Sequence, residues 1–370
     1  MKVLPGLVLV CLAVLLAGAA CASDIDFGSY ARSIAMGGAG LALSDVAADT
    51  VVTNPAAGAA SGAKMQFIFP SVDLDTRGAS LDELRSRTDE ISSTGESDAI
   101  KLAEDFGTRE TRLTASFATG VAGPLSVTAT GEAQGIIFPG ANFRGWVTAG
   151  HPTTPAGLLA AGLIPNVLPA TVAAYAAAVG NGTYVSGALV YTTPSIAYGS
   201  GFATRTGKLW VGGNAKLLRS DVRVWDLAAA VNVAGDVELA ATERPRLKDS
   251  GLGIDLGFIF QPAKSKVQYG MVINNAVQPC LKGIPAPAAW SVGAATTVKK
   301  LTIAADLIDL SSATGDGMRL RTGVEWAAAN KLALRTGYSG KSFTWGVGII
   351  GLNFAFTNDA PNMISKTLTF

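Results

Sequence analysis

The sequence predicts an all-β protein, a transmembrane antiparallel β-barrel of about 14 strands with partly helical external loops. Three observations lead there. Hydrophobic residues make up 49% of the 370 and charged residues only 15%, well below the roughly 25% charged of soluble domains. From residue 110 onward apolar residues recur at every second position, the spacing of a strand and not of a helix. The connections between these strands alternate between tight and long, as they do when turns lie on one side of a membrane and loops on the other.

Residues 1–22 read as a secretory signal peptide. Lys2 supplies the positive end, Val3 to Leu16 the apolar stretch, and Ala20-Cys21-Ala22 a small-residue cleavage site before Ser23. Gly18-Ala19-Ala20-Cys21 leaves a lipoprotein reading open, although the Leu usual three residues before the Cys is missing. Cleavage after Ala22 removes Cys11 and Cys21 and leaves Cys280 alone, so neither an internal disulfide nor a thiolate metal site is expected. No later run reaches the 18 or so apolar residues of a spanning helix. The best candidate, Ala156 to Val179, is broken by Pro165 and Pro169. In a membrane this chain therefore has to be a barrel, whose strands satisfy one another's backbone groups. A net charge of +1 gives no sign of nucleic acid or of an acidic partner.

Strands are expected near 64–74, 110–119, 124–137, 184–203, 208–226, 249–261, 266–275, 287–297, 301–310, 317–327, 331–339, 343–349, 352–358 and 363–370. Alternation assigns their faces. Leu252, Ile254, Leu256, Phe258 and Phe260 share one face, with Gly253, Asp255 and Gly257 on the other. Met318, Leu320, Val324 and Trp326 oppose Arg319, Arg321 and Glu325, and Leu332, Leu334 and Tyr338 oppose Arg335. A soluble sandwich would alternate likewise, with its apolar face turned inward. A membrane barrel turns that face to lipid and keeps Asp255, Arg319, Arg321, Glu325 and Arg335 in the lumen.

Connection lengths separate the two. Gly120–Gly123, Arg205–Gly207, Pro262–Ser265, Lys299–Lys300, Ala328–Asn330 and Ile350–Gly351 are tight, and the long segments 75–109, 138–183, 227–248 and 276–286 all fall in the other set. An even strand count also returns both ends of the barrel to the tight-turn side. Two long loops have character. Residues 80–105 are charged and helical, with Ser80 and Glu83 spaced as a capping box. Residues 155–180 are uncharged and rich in Ala, Leu and Val, with two short helices expected around Pro165 and Pro169. An exposed apolar loop of that size either packs over the barrel mouth or meets a hydrophobic ligand or partner.

The C-terminus, Asn-Met-Ile-Ser-Lys-Thr-Leu-Thr-Phe, places Ile364, Leu368 and Phe370 at alternate positions, with Lys366 the exception. It resembles the C-terminal signal that bacterial outer-membrane barrels present to their assembly machinery. Residues 28–62 are unlike a barrel strand. They read Gly28-Ser-Tyr-Ala-Arg32-Ser-Ile-Ala-Met36-Gly37-Gly38-Ala39-Gly40, then Asp45 and Asp49, then Asn54-Pro55-Ala56. Small residues at this density let backbones pack closely in a confined space. This stretch resembles the N-terminal hatch of the FadL-type family of outer-membrane proteins, and within it the TraF-like and PorV-like branches. That family has an Arg-x-x-x-Met-Gly-Gly-Ala-like stretch, a central acidic residue and an Asn-Pro-Ala motif before the first strand. The resemblance implies a hatch at 23–62 inside the lumen of a barrel at 63–370. Arg32, Gly37 and Gly38 would form its buried start, Asp45 or Asp49 its acidic position, and Asn54, Pro55 and Ala56 its closing turn. A hatch carboxylate could then pair with Arg319, Arg321 or Arg335.

Catalysis finds no support. His151 is the single histidine, so a triad or transition-metal site lacks partners. Gly251, Gly253 and Gly257 sit within a strand and not at a strand-to-helix turn, so they are no dinucleotide fingerprint. No cofactor is implied. The resemblance implies passive transport of small hydrophobic compounds across the bacterial outer membrane, in contact with its lipid. The alternative it implies is a non-transporting barrel that docks a secretion, conjugation or envelope partner. The loop 138–183 departs from the fatty-acid transporter of that family, because it is rich in Ala and poor in aromatics and after Arg144 holds no Lys or Arg to receive a carboxylate.

Overall fold

The structure is a computed structural model that describes residues 31–45, 52–62, 65–77, 96–282, 286–314, 317–329, 331–350, 352–357 and 363–369. The expected signal peptide, Asp49, residues 80–95 and Phe370 lie outside the described residues. The strands are β1 (Gln66–Arg77), β2 (Thr111–Ala122), β3 (Leu125–Phe138), β4 (Tyr184–Ala203), β5 (Gly207–Val231), β6 (Val237–Glu243), β7 (Leu247–Pro262) and β8 (Val267–Val277). They continue with β9 (Ala289–Val298), β10 (Leu301–Ile308), β11 (Arg319–Ala329), β12 (Leu332–Tyr338), β13 (Phe343–Ile349), β14 (Leu352–Thr357) and β15 (Met363–Thr369).

All pairings are antiparallel, each strand lies beside its chain neighbour except that β5 pairs β7 directly, and β15 returns to β1. Of the 15 described strands, all but β6 form this closed ring, an antiparallel barrel of 14. The seam pairs Gln66 with Thr369, Phe67 with Leu368 and Val72 with Ile364. Its register shifts between Ile68 and Val72, around Pro70, which has no N–H to give a neighbouring strand. The outer wall is apolar. Leu252, Met318, Leu320, Trp326 and Leu334 are exposed, and Tyr198 and Phe343 reach 63% and 65% exposure. The inward phase carries Asp255, Thr302, Asp306 and Asn353, all buried. This is the reverse of a soluble sandwich.

One expectation fails. Residues 227–248 are not a loop, because β5 runs on to Val231 and turns into β6, with Trp225 opposite Glu243 and Val231 opposite Val237. The turn is built by Asn232, whose side-chain oxygen accepts from the Ala234 and Asp236 amides. β7 occupies this edge of β5 only as far as Val222, so the hairpin rises beyond it. There it joins α3 (Glu96–Phe106), α4 (Ala141–Thr148), α5 (Pro155–Ala160) and α6 (Pro169–Val179) around an outer core of Phe143, Trp146, Leu158, Val172 and Leu227. Pro155 and Pro169 both open helices, where a missing N–H is no loss. The uncharged 155–180 stretch buries Leu158, Val172 and Val179 in this cap and leaves Leu159, Val167 and Leu168 exposed.

Residues 31–45 and 52–62 form a segment inside the ring, with short helices α1 (Ala31–Ala35) and α2 (Ala57–Ala60). Glycines on the inward phase of the strands admit it. A side chain at Gly323 or Gly337 would overlap the Met36 backbone, at Gly270 the Leu41 backbone, and at Gly212 the Pro55 backbone. Gly323 pairs with Gly337, Gly270 with Gly293, and Gly212 with Gly257, so the gaps are two strands wide. Replacing Gly337 with Val should displace the segment around Met36 at a cost of roughly 1–3 kcal/mol, the usual range for overpacking. The ring should survive, so heat-modifiable migration persists while limited proteolysis cuts faster between residues 31 and 62.

Candidate functional site in the barrel lumen

The inner segment is held at four places. The first is a chain of charges. Arg32 on α1 is 4% exposed and gives Asp45 two bonds, of 2.7 and 3.1 Å. Its Nε and Nη2 also reach Glu325 on β11, at 2.8 and 2.9 Å. Glu325 then accepts from Arg335 Nε on β12 at 2.6 Å, and Arg335 donates to Asn353 on β14 at 2.9 Å. One barrel carboxylate thus sits between two guanidiniums, each using its planar fork.

Of the pairings expected between a carboxylate of this segment and a wall arginine, those of Asp49 lie outside the described residues. Asp45 bonds to Arg32 of its own segment, and Arg335 donates to Glu325 and Asn353. At Arg32 the link to the barrel is a segment cation on a wall carboxylate. Its cause is position. Arg32 and Arg335 reach Glu325 from two sides, so this carboxylate offsets two buried cations.

The second hold is Asp306 on β10, which sequence reasoning missed. Its Oδ2 accepts from the amides of Gly40 and Leu41, at 2.6 and 3.0 Å. An acid on the inward phase of the apolar strand Leu301–Ile308 was the available signal. The third is the Gly37–Gly38 turn. Gly37 has φ of +69° and donates to Thr344 Oγ1 at 2.9 Å, while Gly38 lies against the Arg321 guanidinium. Arg319, also assigned to the lumen, lies against Gly340.

The fourth is the Asn-Pro-Ala turn. Asn54 is fully buried, donates to the carbonyls of Leu41 at 2.7 Å and Phe258 at 3.3 Å, and accepts from the Ala56 amide at 3.0 Å. Pro55 lies across Gly212 and Gly257, and Ala56 packs with Ala57 on Ile259. The side chain ties both halves of the segment to β7 and to each other.

A cavity lies on each side of the segment. On the long-loop side, roughly 100 Å³ is lined by Leu41, Thr53, Lys216, Asp255, Asn274 and Arg321, among others. There Asp255 accepts from Lys216 at 2.7 Å, Asn214 at 2.9 Å and the Asn275 amide at 2.8 Å. On the tight-turn side, roughly 360 Å³ is lined by Leu43, Asp45, Ser61, Lys266, Gln268 and Thr296, among others. His151 stands apart in the outer cap, edge-on to Trp146 at 5.0 Å. Among the described residues no group of three or more His, Cys, Asp or Glu is placed to hold a metal ion.

No family model matches the sequence, and no curated protein sequence matches it. Solved structures do. The monoaromatic hydrocarbon channel TodX, in a deletion mutant, superposes with a TM-score of 0.55 at 13% identity, covering 93% of this chain and 100% of that one. The toluene transporter TodX of Pseudomonas putida gives 0.51 at 12%, covering 94% and 98%. The monoaromatic hydrocarbon channel CymD gives 0.50 at 12%, covering 93% and 98%. The fold is shared with these channels.

Substituting Arg32 with Ala should cost roughly 3–5 kcal/mol, the range for removing one partner of a buried pair, because Glu325 keeps only Arg335. Arg32→Lys should recover part of the loss, since an ammonium cannot bridge both carboxylates with the same fork. Thermal unfolding in detergent, followed by near-ultraviolet circular dichroism, checks both.

Proposed function

We propose that the chain is an outer-membrane barrel of FadL-like type, through which small hydrophobic compounds pass without energy coupling. Residues 1–22 act as its signal, 23–62 as a hatch and 63–370 as the wall. The observation that carries this reading is the inner segment lying between two cavities, of roughly 100 and 360 Å³, on opposite sides of one ring. A ring with an apolar outside and a polar inside suits lipid without and solute within. The fold shared with hydrocarbon channels supports the same reading.

The mechanism follows from what holds the segment. A compound collected on the loop side gains about 25 cal/mol for each Å² of apolar surface it buries. To go further it must displace backbone that is pinned by Asp306, Asn54 and Arg32. The wall offers a second exit. Register breaks flank Pro194 on both sides, between Thr128 and Gly131 and between Thr193 and Ile196, so the ladder is weakened there.

Deleting residues 31–62 tests the reading. In planar bilayers the deleted form should show a steady ion conductance at least tenfold above the full chain, whose lumen the segment fills. Cells expressing the full chain should take up a small aromatic compound faster than cells without it. A deleted barrel that stays sealed, or a chain that extracts without detergent, overturns the proposal. A sealed lumen that copurifies with an envelope protein favours docking instead.

A further inference from the structure

We infer that the cavity on the long-loop side is a binding site for a compact organic compound whose head carries acceptor oxygens, as a carboxylate or a ketone does. The inference rests on the lumen being a solute path and names what the path selects. Asp255 is filled, taking Asn214 on Oδ2 and both Lys216 and the Asn275 amide on Oδ1. Lys216 has no other partner among the described residues, so two of the three N–H groups of its ammonium are unused. Asn274 also lines the cavity, and its side chain makes no hydrogen bond among the described residues. Ser291 accepts from the Asp309 amide and keeps its own proton to give. Against these N–H and O–H groups stand two unused acceptors, the side-chain oxygens of Asn274 and Asn275, so donors outnumber acceptors on a wall that a bare hydrocarbon would leave unsatisfied.

Size narrows the class further. The cavity measures roughly 100 Å³, below the roughly 150 Å³ of an engineered apolar cavity that holds benzene. Leu41, Leu218 and Ile308 add a short apolar surface to the same lining. A chain of about four carbons with an oxygen head matches both the volume and the chemistry.

Three probes of different chemistry decide the matter. Sodium butyrate, 2-butanone and toluene are titrated into the full chain in detergent, and binding is read by saturation-transfer NMR. Butyrate or 2-butanone should bind more tightly than toluene, and whichever is tighter tells whether the head is charged. Asn274→Leu removes donors that hold nothing else in place, and should weaken that probe about fivefold to tenfold, the worth of one or two hydrogen bonds. Lys216→Met should weaken it more, although it strips Asp255 of its cation, so the Asn274 variant carries the decision if that protein fails to fold. Toluene binding as tightly as the oxygenated probes, or an Asn274→Leu protein that binds them unchanged, overturns the inference. Failure of passage shows in conductance and uptake. Failure of this inference shows in the order of the three probes and in the Asn274→Leu protein.

Discussion

Backbone meets backbone across the lumen, and the rest of the structure depends on that contact. The inner segment packs its main chain at Met36, Leu41 and Pro55 against strands that have no side chain there. At such range its amides and carbonyls lose water, so the wall has to supply their partners. Asp306 takes two amides, Thr344 takes another, and Asn54 gives to carbonyls on both sides of the contact. The inward polar residues of the barrel are placed where the buried main chain of the segment needs them.

The charges obey the same logic. A guanidinium as buried as Arg32 is stable only if its donors are filled, and two carboxylates take four bonds from it. One belongs to the segment and one to the wall, so the pair both neutralises Arg32 and joins the two bodies. Arg335 and Asn353 extend the joint to β12 and β14, which spreads it over one side of the ring.

The barrel was largely legible because its signals are local. Period-two alternation, tight turns and the parity of the connections placed the ring strands within a few residues of where they lie. The β5–β6 hairpin escaped because its alanines at 228–230 blur the alternation, although Asn232 and Gly235 mark its turn. The site was less legible. The residues of the inner segment could be named, but not their partners, since Arg32 meets Glu325 across 293 positions of sequence. Asp306 looked like one polar residue in a strand, and only the ring shows which amides it faces.

The place of the segment in the chain has a consequence for assembly. It directly precedes β1, while its docking surfaces lie on strands as late as β15. The surfaces on β10 to β15 do not exist until most of the ring has formed, and the seam between β1 and β15 joins the two ends of the chain. Seating the segment and closing the ring are therefore late and coupled events, governed by contacts of great sequence separation. A chain that closed early would shut its own N-terminal segment out.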